Sequence, residues 1–414
     1  MAIAYVYVYI QEGFVPTGIL ETIGEGREAT ASFRYGNLYL QRKDRFAIDP
    51  VQLPLHEPDT PRTYQAPEGF SLFNGIRDAA PDGWGRHLMD RAAGSKILSE
   101  YDYLVATGDD RVGALAFGSD LSGPKRMTPW PEEKLPGESF DLSMMLQIAE
   151  AYDNDDNIPV EYRRFLVRGS SLGGARPKAT TILDNQPWIA KFGRTEDRYP
   201  VCRTEYATMK LAAAIGLNVP AVRLEKILEK DVYLIKRFDR EPHNENFKRL
   251  PFISGLTIIG AHEGESSQQS YARLAQQLRL YGSKPKEDAE ELWKRMVFNI
   301  LCNNTDDHLR NHGFLWDGKG WRLSPAYDIV PMLQVALERD LAIGVGKEGR
   351  LATLKNAISD SISFGLSADK AKNLATSIQK QVKAEWIKQF KEAGLQEIDI
   401  EKLKSCFIAC DEAL

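Results

Sequence analysis

The chain has 414 residues, 43% of them hydrophobic and 27% charged, with a formal net charge of −5. That length allows two or three domains and a sizeable core. The charge argues against a strongly basic, autonomous nucleic-acid binder, and no apolar run approaches the roughly 18 residues of a membrane helix. The first stretch, "MAIAYVYVYIQEGF", alternates like a strand and lacks the basic start and small-residue cleavage site of a signal peptide. "AYVYVYI" and "NLYLQ" read as strands, with turn residues in "QEG" and "YGN". "APEGFSLFNGIRDAAPDGWGRHLMDRAAG" reads as short helices punctuated by Pro81, Gly83 and Gly94, and "DDRVGALAFGS" as a closing strand. "DLSGPKRMTPWPEEKLPGES" is rich in proline, glycine and charge and has the character of a domain linker.

A helix, "FDLSMMLQIAEAY", opens the next region, and a strand-rich stretch follows from Gly169 to Asp239. Beyond about residue 265 the pattern is helical. In "PKEDAEELWKRMVFNILC", Leu292, Met296, Val297 and Ile300 recur at helical spacing. The tail predicts two more helices, with Ser367 as an N-cap and Gly394 as a stop. Cys202, Cys302, Cys406 and Cys410 form no C-x-x-C pair and read as buried reduced thiols of a cytoplasmic protein. The expected division is a β-rich domain over 1–120, a linker over 121–138, small-lobe elements over 139–240 and a helical lobe over 241–414.

"NNTDDHLRNH" (303–312) follows the apolar helix directly. Asp306 and Asn311 are five residues apart, the spacing with which protein kinases place a catalytic base and a magnesium-binding asparagine. "HGFLWDGKGWRLSPAYD" then reads as strand, turn at Asp317–Gly318, strand and Asp328, which stands where a kinase holds its second metal-binding aspartate. Two other readings compete. His308 and His312 have zinc-like spacing if the segment is helical, although Gly313 and the strand after it count against that. Alternatively, Asn303, Asn304, Thr305 and Asp306 cap a helix end in a solvated turn.

A kinase needs a glycine-rich loop and a strand lysine upstream. "RGSSLGGARPKATTILDNQPWIAKFG" offers both. Gly173 and Gly174 let backbone N–H groups approach phosphate, Arg176 and Lys178 add charge, and a hairpin turning at Asp184–Asn185 ends near Lys191. Glu205, on an amphipathic helix, stands where a kinase pairs an acid with that lysine, though helix-dipole stabilisation in a first turn explains it equally. "DVYLIKRFDR" reads as the lobe-connecting strand, with the backbone of Ile235 through Phe238 facing adenine and Asp239 reaching the ribose.

"SSLGGARPKA", "WIAKF", "TEYATMKLAAAIGLNVP", "YLIKRFDR", "NTDDHLRNHGFL" and "LSPAYDIVP" resemble the kinase region of the HipA family of bacterial serine/threonine kinase toxins. "FNGIRDAAPDGWGRHLM" and the tyrosine-rich opening resemble that family's N-terminal domain. The resemblance implies an α+β, two-lobed protein-kinase-like fold and phosphorylation of a protein serine with ATP and Mg2+, the family's target class including aminoacyl-tRNA synthetases. It implies Asp306 as base and Asn311 and Asp328 as magnesium ligands. It further implies a nucleotide site of Leu172, Gly173, Gly174, Ala175, Arg176, Pro177, Lys178, Lys191, Lys236, Arg237, Phe238, Asp239, His308, Asn311, Tyr327 and Asp328. Ser171, with Ser170 beside it, falls at the family's autophosphorylated position, where phosphate would repel ATP and favour an ejected loop. Family members work with a helix-turn-helix antitoxin that contacts operator DNA. The alternatives are a small-molecule kinase and a non-catalytic kinase-like partner of such an antitoxin.

Overall fold

A computed structural model describes residues 1–24, 29–108, 110–127, 142–153, 174, 176–244, 246–265, 269–333 and 338–413. The chain folds into two compact units, one of 1–195 with 237–253 and the other of 196–236 with 254–414. The first unit thus takes in 237–253, a segment expected to straddle the small and helical lobes.

In the first unit, β1 (Ala2–Ile10), β2 (Gly13–Ile23), β3 (Thr30–Tyr35), β4 (Tyr64–Gln65) and β5 (Leu115–Gly118) form one antiparallel sheet in the order β4-β3-β2-β1-β5. The opening strand and the closing strand are as expected, and they pair with each other. "NLYLQ" is not a strand. Asn37–Leu40 form a single helical turn, α1, entered through Gly36. One turn is too short to show a helical period, and its alternation of polar and apolar residues mimics a strand. Tyr39 and Tyr35 are buried and stacked, with hydroxyls donating to the carbonyls of Phe46 (2.7 Å) and Leu53 (2.8 Å), so each buried polar tip is satisfied. Helices α2 (Asn74–Arg77), α3 (Gly83–Ala93), α4 (Glu100–Ala106) and α5 (Leu142–Asp153) follow, broken near Pro81, Gly83 and Gly94 as the sequence indicates. The β6 (Lys178–Leu183) and β7 (Gln186–Phe192) hairpin turns at Asp184 and Asn185, both with positive φ, as a two-residue turn matching strand twist requires.

The second unit starts with α6 (Val201–Ala214) and the hairpin β8 (Val222–Ile227) and β9 (Lys230–Lys236). The chain then returns to the first unit for the hairpin β10 (Arg240–His243) and β11 (Asn246–Arg249), and β12 (Phe252–Ser254) leads back. The remainder is mostly helical: α7 (Gly255–Ile259), α8 (Tyr271–Tyr281), α9 (Pro285–Leu301), α10 (Leu354–Ser359), α11 (Ala368–Glu392) and α12 (Glu397–Leu403). It is interrupted by the hairpin β13 (Gly313–Trp316) and β14 (Trp321–Leu323). Ser367 caps α11, and Gly394 follows it at φ 81°. Helix α9 buries Leu292, Met296, Val297 and Ile300, the predicted apolar face, together with Trp293, and delivers the chain into the 303–312 loop. All four cysteines are buried and reduced. Among the described residues no helix is long and apolar enough to cross a membrane.

Candidate active site

In the first unit, the hairpin register places Lys178 directly opposite Lys191. Both are largely buried, at 6% and 7% exposure. Two lysines on one face of a hairpin concentrate positive charge there. Gly174 has φ 97°, and a Cβ there would come within 2.5 Å of Lys178 Nζ. The loop therefore crosses so close to this ammonium that only glycine fits without displacing it. The Gly174 carbonyl accepts from Trp84 N–H (2.9 Å) at the start of α3, a tie to the N-terminal domain that nothing in the loop sequence indicated. Arg176 is half-buried, and the Pro177 carbonyl accepts from Phe192 N–H (3.0 Å), closing the base of the hairpin. Ser170, Ser171, Leu172, Gly173 and Ala175 lie outside the described residues.

Part of the segment expected to face adenine and ribose is engaged within the protein. Strand β9 ends at Lys236, whose N–H donates to Ala221 O (2.9 Å), and Arg237 N–H donates to Pro187 O (3.0 Å). Those two amides are thus taken up by protein carbonyls. Asp239 is buried and does not present its carboxylate to a ribose. It accepts from Arg237 (2.7 and 2.9 Å), Arg240 (2.7 Å) and Gly113 N–H (2.8 Å). Both guanidinium groups also donate to the Arg111 carbonyl. Burial alone would raise the Asp239 carboxyl, but Arg237 and Arg240 outweigh it and hold the group well below the usual carboxylate range. Arg237 and Asp239 are two apart, at the bend between β9 and β10. That spacing was the available sign of an internal ion pair. Phe238 packs near Phe252, with ring centroids 6.3 Å apart.

In the second unit, α6 begins at Val201, so Glu205 sits in its second turn, 2% exposed. A first-turn dipole effect does not account for a carboxylate buried there. The Tyr233 hydroxyl, on β9, is pushed well above its ordinary value by burial and then by the charges of Glu205 and Asp328. Glu205 and Asp328 are thus both near enough to the buried Tyr233 hydroxyl to oppose its ionisation.

Loop 303–312 is neither a continued helix nor a plain solvated turn. Helix α9 stops at Leu301, Asn303 takes φ 55°, and only Leu309–Asn311 form a 3-10 turn. Asp306 and His308 are exposed, whereas Asn303, Asn304, Asp307 and His312 are buried. His308 and His312 thus differ in environment, unlike a zinc pair on one helical face. Asn311 Nδ2 donates to the Asp306 carbonyl (2.8 Å), leaving Oδ1, a hard oxygen suited to magnesium, as the side chain's acceptor. Four bonds fasten the Asp328 segment to this loop. Tyr327 Oη donates to Arg310 O (2.8 Å), Asn303 Nδ2 to Met332 O (2.5 Å), Met332 N–H to Asn303 O (3.0 Å) and, at longer range, Val330 N–H to Asn304 Oδ1 (3.5 Å). Asp328 itself takes φ 56°, a left-handed conformation uncommon outside glycine and asparagine. No sequence signal marks the roles of Asn303, Tyr233 and Trp84. Each acts through a backbone or buried contact that no local motif encodes.

The comparisons with known proteins agree with this anatomy. The HipA N-terminal domain model matches residues 7–118, and the HipA-like C-terminal domain model matches 170–386. A kinase-designated protein of Sinorhizobium fredii, Y4mE, is 24% identical over 355 residues, 78% of this chain and 79% of that one. The serine/threonine-protein kinase toxin HipA of Shewanella oneidensis is 21% identical over 306 residues, 67% of each chain. In structure the chain is similar to HipA in the solved Shewanella oneidensis complex of HipA, HipB and operator DNA. The TM-score is 0.70 at 17% identity, covering 98% of this chain and 95% of that one. With both domain models matched and the fold shared from end to end, this chain belongs to the HipA family and has its α+β, two-lobed kinase-like fold.

Proposed function

We propose that the chain is an ATP- and Mg2+-dependent serine/threonine protein kinase of the HipA toxin type. The observation that carries the reading is the loop of the second unit. It exposes the Asp306 carboxylate and frees the Asn311 oxygen, while four hydrogen bonds tie it to the segment bearing Asp328. In this reading Asp306 accepts the proton of a substrate serine hydroxyl as its oxygen bonds to the γ-phosphorus and ADP leaves. Asn311 and Asp328 would hold magnesium, which supplies charge neutralisation when bound. Lys178, Lys191 and Arg176 bind the phosphates beside the glycine loop, and Glu205 is assigned to Lys191. Lys236, Phe238, His308 and Tyr327 remain nucleotide-side residues, whereas Arg237 and Asp239 are reassigned to the internal ion cluster.

Ser171, or Ser170, is the proposed self-phosphorylation site. Likeness to a HipA solved with HipB and operator DNA supports a HipB-like antitoxin as partner, with DNA reached through it. An aminoacyl-tRNA synthetase is the proposed target class. Phosphoproteomics after induced expression tests the reading. A protein phosphoserine that appears with the parent and not with Asp306→Asn supports it. A phosphorylated metabolite without such a protein indicates a small-molecule kinase, and no new phosphate on either indicates a non-catalytic partner.

A further inference from the structure

The loop carrying Asp306 and Asn311 contains a second pair with the same spacing, displaced by one residue: Asp307 and His312. The first pair is exposed and half-buried; the second is buried at 3% exposure for each residue. The buried pair meets, with His312 Nε2 3.2 Å from Asp307 Oδ1. The approach lacks the alignment of a hydrogen bond, so it is a close polar packing contact.

Both members are anchored to the surrounding helices. Asp307 Oδ2 accepts from Asn299 Nδ2 (2.8 Å), in the last turn of α9. The same amide nitrogen donates to Tyr271 Oη (3.0 Å) on α8, and Asn299 Oδ1 accepts from Asn304 Nδ2 (3.2 Å). The His312 ring lies edge-on to Tyr271, with centroids 5.2 Å apart. The His312 carbonyl accepts from Gly255 N–H (2.6 Å), and a Cβ on Gly255 would fall 2.6 Å from Leu309 O. A solvated turn needs none of this, and burying a carboxylate is costly without such partners.

We propose that Asp307 and His312 are positioning residues, a cross-brace under the loop that fixes the separation of the outward-facing Asp306 and Asn311. Each inner residue is bonded through the backbone to one outer residue. Locking the inner pair to Asn299 and Tyr271 therefore limits the relative motion of the outer pair. The brace stands on the geometry alone; its catalytic consequence rests on the kinase reading.

Two near-isosteric variants test it. His312→Phe keeps a ring against Tyr271 but removes both nitrogens. Asp307→Asn keeps the shape and an acceptor for Asn299. Hydrogen–deuterium exchange of the 303–312 amides and thermal melting are read first, because neither needs activity. The expected result is a parental melting transition with loop exchange about tenfold faster. In the transfer assay kcat falls about tenfold, the KM for ATP stays within about twofold, and the double variant is no worse than the poorer single one. Parental loop exchange in both variants, or kcat losses that multiply, would overturn the brace. So would global unfolding of both, which would make the pair ordinary core. If the parent neither binds ATP nor transfers phosphate, the kinase reading fails and the exchange data still decide the brace.

Discussion

At Asp328 the backbone takes φ 56° beside a residue whose hydroxyl is tied to the loop of Asp306. Left-handed backbone at an aspartate costs about 1 kcal/mol relative to glycine and persists where surrounding contacts over-determine it. Tyr327 and Asn303 supply such contacts here. Asparagine tolerates the same conformation, so Asp328→Asn is expected to melt like the parent. It should nonetheless lose at least about tenfold of the gain in ATP affinity that magnesium gives, as read by titration calorimetry with and without the metal. Unchanged magnesium dependence would remove Asp328 from the metal site. A second residue-scale effect concerns Asp239. Its carboxyl titrates below its unfolded value, so it contributes stability at neutral pH that is lost as pH falls below about 4. Replacing it with Asn is expected to cost about 3 kcal/mol at pH 7, because two buried guanidinium groups lose their counter-charge. That difference should shrink in urea melts as pH is lowered from about 4 to about 2.5; a constant difference would contradict the ion-pair account.

The β6–β7 hairpin shows the element scale. Its turn at Asp184–Asn185 and its paired lysines follow from short-range signals, namely turn residues between two alternating runs. Helices α9 and α11 are legible for a similar reason, since long periodic faces and an N-cap serine leave little ambiguity. The one-turn helix α1 is not, because four residues carry no period. The KRFDR segment misleads because charged residues after an apolar strand look solvent- or ligand-facing until their partners, Arg111 and Gly113, are known. Those partners lie 126 residues away in the chain, beyond any local pattern. Likewise, the residue types of the 303–312 loop suggest chemistry, but only the fold separates outward Asp306 from inward Asp307. Gly174 gives the element-scale prediction. With φ 97° and Lys178 Nζ at 2.5 Å from its missing Cβ, Gly174→Ala should displace the ammonium and raise the KM for ATP about tenfold. A parental KM would show that this lysine does not contact the nucleotide.

At the scale of the whole molecule, the boundary of the N-terminal domain is not a point of independent folding. Residues 237–253, which follow the lobe-connecting strand, belong to the first unit through the Arg237, Asp239 and Arg240 cluster with Asp110, Arg111 and Gly113. Deleting residues 1–118 would expose that cluster and remove the Trp84 amide from Gly174. The remaining 119–414 fragment is therefore expected to be insoluble or to lack a cooperative thermal transition. A fragment that melts cooperatively near the parental temperature would show that the two domain models correspond to separable folding units. The central claim is phosphoryl transfer with Asp306 as base. Incubating the full chain with ATP and magnesium, then mapping phosphosites by mass spectrometry, tests it most directly. The account predicts phosphate on Ser171 or Ser170 in the parent and none in Asp306→Asn, with ATP still bound by the variant. Equal phosphorylation of both proteins, or none in a parent that binds ATP and magnesium, would contradict it.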